Sequence, residues 1–344
     1  MKRHAVWLRA NLFATRPQGV LSLTILFLAG WALWSIAGWA VFDATWSGDS
    51  RDACSGGGAC WAFIAARSRQ IIFGFFPQME IWRGGLAIGL AFGAVLLLWS
   101  GKLRPGARLG AVTGLLVLAA WLLSGGFGLP KIGTDLWGGF LLTFVITIAG
   151  CLAAFPLGVL LALGRQSQLT VVRILSTCFI EFWRGIPLIT VLFMAAVMLP
   201  LFFPAGLEAD KLVRALAGVA LFAAAYIAEV VRGGLQALPR GQYEAAWSLG
   251  MGYWQTMILV ILPQALRHVI PGLANVVIAL FKDTTLVLII GMFDFLGILH
   301  AALSDPAWLG LAMEAYLFAG LVFWIFCFGM SRAARALEHR GRSA

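Results

Sequence analysis

Residues 136–164 run for 29 positions without one charged side chain. A helix rising 1.5 Å per residue needs about 20 mostly apolar residues to cross bilayer hydrocarbon, and a run this long crosses with tilt. Hydrocarbon offers no water to backbone N–H and C=O groups, so an apolar run there satisfies them as a helix. Similar runs recur at 19–42, 84–101, 110–129, 186–206, 213–233, 268–293 and 307–330. The run at 110–129 is the weakest, because Gly125, Gly126 and Gly128 crowd its end. Only 12% of residues are charged and 61% are apolar, where a soluble domain carries about a quarter charged. The chain is expected to be an all-α polytopic membrane protein with about eight transmembrane helices.

The net charge is +10, but the basic residues stand singly at the edges of apolar runs. No basic stripe interleaved with aromatics exists, so no nucleic-acid partner is expected. Basic residues at such edges set topology by staying on the cytoplasmic side, facing anionic lipid. Eight spans put both termini on one side. With that side cytoplasmic, Arg51, Arg67, Arg69, Arg83, Lys131, Lys211 and Arg214 fall outside, and the rest except Lys282 fall inside. The bias favours this orientation. The first run is too long for a cleaved signal peptide and reads as an uncleaved span. The long outside loop is 43–83. It carries Cys54 and Cys60, which can form a small disulfide in an oxidising periplasm.

No G-x-x-x-x-G-K-[ST] string exists: Gly101-Lys102 is followed by Leu103. If ATP is used, its hydrolysis belongs to another chain. His4, His268, His300 and His339 are scattered, with no metal-ligand spacing, so no metal is expected. No hydrolytic motif is present, and no catalytic residue is assigned.

Residues 238–263 read Leu-Pro-Arg-Gly-Gln-Tyr-Glu-Ala-Ala-Trp-Ser-Leu-Gly-Met-Gly-Tyr-Trp-Gln-Thr-Met-Ile-Leu-Val-Ile-Leu-Pro. Pro239 and Gly241 interrupt the preceding helix. A short helix is expected over 242–249, with Ala245 and Ala246 giving another protein close access to it. Gly250 and Gly252 supply a left-handed turn, and a second helical stretch, 253–262, is expected to stop at Pro263. Such a hairpin either docks a partner or packs only on its own bundle. Glu244-Ala245-Ala246, then Gly250, then Ile261-Leu262-Pro263 resembles the EAA loop of bacterial ABC importer permeases. The resemblance implies that Glu244, Ala245, Ala246, Gly250, Leu262 and Pro263 couple to an ATPase subunit.

Residues 179–188, 225–234 and 282–287 resemble the polar amino-acid permeases, and the chain as a whole is similar to the general L-amino-acid transporter permeases. That implies a five-helix type I ABC importer core at 136–332, containing the coupling loop, after a three-helix extension at 1–135 and before a cytoplasmic tail at 333–344. The implied partners are an ATPase dimer, a second homologous permease, a periplasmic amino-acid-binding protein, an L-amino-acid substrate and the lipid bilayer. ATP and Mg would sit on the partner ATPase, with no cofactor on this chain. An ion-coupled secondary transporter is the alternative; it should show a repeat and broken helices, and no repeat is evident.

Charges inside a membrane are expected to pair or to face an aqueous path. Glu229 and Arg232, like Glu181 and Arg184, are three residues apart and share a helical face. Each pair is either a local brace beside the loop or part of a gate. Lys282 and Asp283 lie deep in the seventh run, followed by Thr284 and Thr285. These four either line the path of a zwitterionic substrate or hold two permeases together.

Overall fold

The computed structural model describes residues 10–54, 56–100, 104–202 and 209–342. Lys2, Arg3, His4, Arg9 and Lys102, and the end of the fifth expected span at 203–206, lie outside the described residues. The described residues are helical, with only isolated bridge pairs and no strand. They divide into two compact units, 1–68 with 302–316, and 69–301 with 317–344.

In the first unit, α1 (Arg16–Ala37) continues through a π-helical turn at Gly38–Phe42 and buries none of its residues. A helix apolar on all sides suits a lipid surround. The loop after it is cross-linked by a Cys54–Cys60 disulfide. The Trp61 indole donates to the Ala40 carbonyl at 2.7 Å, and the rings of Trp39 and Trp46 pack on Trp61. Three polar contacts tie this loop to 302–316: Arg51 donates to the Leu309 carbonyl (2.6 Å), Arg67 pairs with Asp305, and the Cys60 N–H donates to Glu314 (3.3 Å). Phe63 packs on Trp308 beside them.

The next helices are α2 (Ala62–Phe73), α3 (Ile81–Ser100), α4 (Pro105–Ser124) and α5 (Gly139–Arg165). Then come α6 (Thr170–Gly185), α7 (Leu188–Phe193), α8 (Lys211–Gln236), α9 (Arg240–Ser248), α10 (Tyr253–Gln255) and α11 (Leu262–His268). The chain ends with α12 (Ile270–Asp283), α13 (Phe295–Ala302) and α14 (Ala312–Arg342). Seven helices among the described residues are long and apolar enough to span, or eight if one bent pair counts as a span.

That pair corrects the expected fifth span. Residues Thr170–Gly185 and Leu188–Phe202 meet at 101°, and the second arm passes through π-helical Met194–Met198 and 3-10 Leu199–Phe202. The cause is local. Pro187 has no N–H and forces Ile186 out of helical geometry (φ −103°, ψ 134°). Pro263 is the second correction. It does not stop a helix but sits in the first turn of α11, where its missing N–H leaves no orphan. The residues before it, Thr256–Ile261, are π-helical.

The core is built on α5 against α8. Ala154, Ala162, Ala215, Ala223, Ala224 and Ala228 are all buried there. A Cβ on Gly158 would lie 2.6 Å from Ile227 and 2.9 Å from the Ala224 carbonyl. Lipid tails are as apolar as leucine, so close van der Waals approach is what holds such helices together. Phe92, Phe140, Phe144, Phe281 and Phe326 form a connected ring cluster among α3, α5, α12 and α14. Arg83 is fully buried and clasps the ends of α3 and α4, donating to the Leu122 carbonyl (2.7 Å) and the Pro130 carbonyl (3.0 Å). A residue the sequence assigns only to topology thus closes a helix pair.

At the start of α5, the Gly139 N–H donates to the Phe293 carbonyl (2.8 Å), and the Phe295 N–H donates to the Thr143 hydroxyl (3.1 Å). Between them Asp294 is fully buried and accepts from the Gly297 N–H (2.9 Å). Burial pushes its carboxyl up to about 6. The folded state therefore holds this proton to higher pH than the unfolded chain, and stability falls as pH rises from about 4 through about 6. Asp294→Asn keeps the acceptor without the charge. It should stabilise the purified protein by about 1–3 kcal/mol at pH 7.5, with the gain vanishing near pH 4, as read by thermal unfolding in detergent at both values.

Candidate functional site

The stretch between α8 and α12 folds as a hairpin. Pro239 precedes α9, and the helix ends in a Schellman closure: the Met251 N–H donates to the Ala246 carbonyl (3.2 Å) and the Gly250 N–H to the Trp247 carbonyl (2.9 Å). Gly250 has φ +75°, the left-handed conformation that this closure needs. Gly252 then caps α10, its N–H donating to the Gln255 side chain at 3.1 Å. Gln264 donates to Gln242 (3.0 Å) and to the Val260 carbonyl (2.8 Å), which ties α9 to α11.

Glu244, Ala245 and Pro263 are exposed and Leu262 is half-buried. Leu249 is 81% exposed at the tip, and Trp247 is 56% exposed. Ala246 departs from expectation: it is 3% exposed, so its small side chain serves packing within its own chain and presents no surface to a partner. Tyr243, Trp247, Tyr253 and Trp254 instead line a cavity of about 730 Å³ that faces the α5–α6 turn. Burial, with Tyr253 nearby, pushes the Tyr243 phenol above its ordinary value.

Beside the hairpin, the charges that the sequence pairs locally form one cluster across three helices. Arg165, at the end of α5, reaches Glu181 of α6 (2.9 Å) and Glu229 of α8 (3.0 Å). Glu229 also pairs with Arg232. The Glu181–Arg184 contact is long, at 4.0 Å, and Arg184 lies 3.9 Å from Glu229 and 5.8 Å over the Tyr226 ring. A local brace describes Glu229–Arg232 but not Glu181, whose close partner is Arg165. The sequence signal for Arg165 was a lone cation closing the longest apolar run.

The deep charges separate. The chain changes from α to 3-10 helix at Thr284. The Thr284 hydroxyl donates to the Phe281 carbonyl and that of Thr285 to the Lys282 carbonyl, each at 2.9 Å. Both hydroxyls thus satisfy backbone at the end of α12. Lys282 is exposed, whereas Asp283 is half-buried and lines a cleft. That cleft holds about 450 Å³ between α8 and α12, walled by Tyr226, Val230, Gly272, Asn275 and Ala279 as well as Asp283. Asn275, Ala279 and Asp283 are four apart, one helical face, and this spacing is the signal from which Asn275 could be read.

Residues 154–343 match the family of binding-protein-dependent transport system inner membrane components. The chain belongs to this family. The amino-acid ABC transporter permease protein YhdY of Escherichia coli K12 is 50% identical, over 98% of this chain and 93% of its own length. BztC of Rhodobacter capsulatus, a glutamate/glutamine/aspartate/asparagine transport system permease, is 39% identical over 97% and 93%. The crystal structure of an amino acid ABC transporter with histidines superposes with a TM-score of 0.52 at 28% identity, covering 59% of this chain and 92% of that one. This permease is therefore a subunit of an ATP-driven importer, a multi-pass protein of the inner membrane. The matched region contains the hairpin, the charged cluster and the cleft. The permease's first four helices lie before that region but within the alignments to YhdY and BztC.

Gly250→Val places a β-branched residue at φ +75°, at a cost of about 1–2 kcal/mol to the turn. No neighbour lies within 4 Å of the added Cβ, so the effect is on the hairpin alone. Transport-coupled ATP hydrolysis in the assembled complex should fall at least several-fold while membrane insertion is unchanged, and Gly250→Asn, which tolerates this conformation, should retain activity.

Proposed function

We propose that this chain is one of two paired permeases that import L-amino acids handed over by a periplasmic binding protein. The exposed α9 tip carries the reading: Leu249, Trp247, Glu244 and Ala245 form a compact projection on a chain with no nucleotide-binding motif. A projection of this kind has a use if the motor is a separate ATPase dimer that holds ATP and Mg. The chain itself is then no enzyme and binds no cofactor. The basic-residue bias supports both termini, and the hairpin, being cytoplasmic. The names of the similar permeases support amino acids as cargo, without selecting among them.

Closure of the ATPase dimer would move α9, and the Gln242–Gln264 link and the π-helical segment would carry that movement to α11 and α12. The Arg165–Glu181–Glu229–Arg232 cluster, with Arg184 beside it, would act as the gate latch. Its half-buried charges are strong enough to hold three helices in register and wet enough to exchange partners. The cleft of Asp283, Asn275 and Tyr226 would line the path for the charged ends of the substrate. Lys282, exposed beyond the cleft, suits the contact with the second permease, and Thr284 and Thr285 position Asp283 by ending α12. The broken α6–α7 pair gives no support to a secondary transporter, because Pro187 accounts for it.

The test is reconstitution of the chain with its co-purifying subunits in liposomes. Mg-ATP hydrolysis should rise several-fold on adding amino-acid-loaded binding protein, with uptake of the label. Uptake driven by an ion gradient without ATP, or the lack of any ATPase partner, contradicts the reading.

A further inference from the structure

A second small cavity, of about 180 Å³, lies at the other ends of α5 and α8, away from the charged cluster. Its walls include Thr134, Asp135, Trp137, Asp210, Lys211 and Gly291. Asp210 is already engaged. One carboxylate oxygen caps α8 by accepting from the Leu212 N–H (2.8 Å), and the other accepts from the Thr134 hydroxyl (2.5 Å). That engagement fixes the α5 approach against α8 and places Lys211 at the first position of α8.

Among the described residues, three polar groups around the cavity have no partner of their own. Asp135 and Lys211 are exposed at its mouth, and neither has an ion-pair partner among the described residues. The indole N–H of Trp137 is buried and makes no hydrogen bond. A buried N–H without an acceptor costs about 1–3 kcal/mol. A lysine in the first turn of a helix opposes the helix dipole, which favours anions there. The buried indole N–H and the lysine at the start of α8 are locally unfavourable, and local conflicts of this sort concentrate where a ligand supplies the missing half.

We infer that Asp135, Lys211 and Trp137 form an outer subsite for the charged ends of a free α-amino acid. The carboxylate of the ligand would meet the Lys211 ammonium and the Trp137 N–H, and its ammonium would meet Asp135. The size of the cavity suits the zwitterionic end and leaves the side chain directed outwards. The site thus recognises the feature common to all amino acids and not one side chain. On the orientation proposed above, on which this inference rests, the subsite faces the periplasm and receives the substrate before the core cleft does.

The complete complex in liposomes, with its binding protein and a ¹⁴C-labelled mixture of L-amino acids, tests this. Two quantities are read together: uptake, and ATP hydrolysis stimulated by the loaded binding protein. Lys211→Met and Asp135→Asn should lower the amount taken up per ATP by about tenfold, the loss of one charge-assisted hydrogen bond, while Lys211→Arg retains the ratio. A ratio unchanged in both variants overturns the subsite, whether the two rates stay normal or fall together as a structural defect would make them. Absence of uptake by the wild-type complex would instead count against the importer reading itself.

Discussion

The close packing of α5 on α8 sets the position of everything functional in the described core. Alanines and glycines line the contact, and Gly158 lets Ile227 and the Ala224 carbonyl approach within distances that no side chain would allow. Because the two helices are long and lie backbone to backbone, each end becomes a fixed station. At one end Arg165 and Glu229 meet. At the other, Thr134 and Asp210 join the approach to α5 to the start of α8. The Asp283 cleft opens on the flank of α8. A shift of α8 along α5 would therefore disturb all three together, which is what an alternating path requires of a rigid element.

Polar groups in these apolar surroundings are handled in two ways. Structural ones are held by fixed acceptors: Arg83 has three, although its Nη2 is left without one, and Thr143, Thr147, Thr284 and Thr285 donate to carbonyls of their own helices. Functional candidates are shared or incomplete. Glu229 is contested by three guanidinium groups, and among the described residues Lys211, Asp135 and Trp137 lack partners of their own. A group so held costs much to move, whereas a shared one can exchange partners with little change in free energy.

Much of this was legible in the sequence because hydrocarbon is a severe solvent. Long uncharged runs must be helices, and a Gly-x-Gly after a short polar helix must be a turn, so the spans and the Gly250 closure could be read directly. Tertiary choices could not. Nothing in the spacing of Glu181 and Arg184 announces that Glu181 turns to Arg165, because the pairing depends on how α5 ends against α6. Ala246 reads as a contact surface until the hairpin folds back and buries it. Pro263 reads as a stop because π-helical geometry before it has no sequence signature of its own. Pro187 was visible, but the 101° bend that it permits is set by packing around it.

The central claim is that the α9 hairpin is where the motor grips this chain. Hydrogen exchange of the assembled permeases, with and without the ATPase subunits, measures it most directly. Protection on adding the ATPase should concentrate in Arg240–Ser248 and the turn through Gly252, with smaller changes at α11 and α12. Unchanged exchange in α9, with protection appearing elsewhere on the chain, would contradict the account.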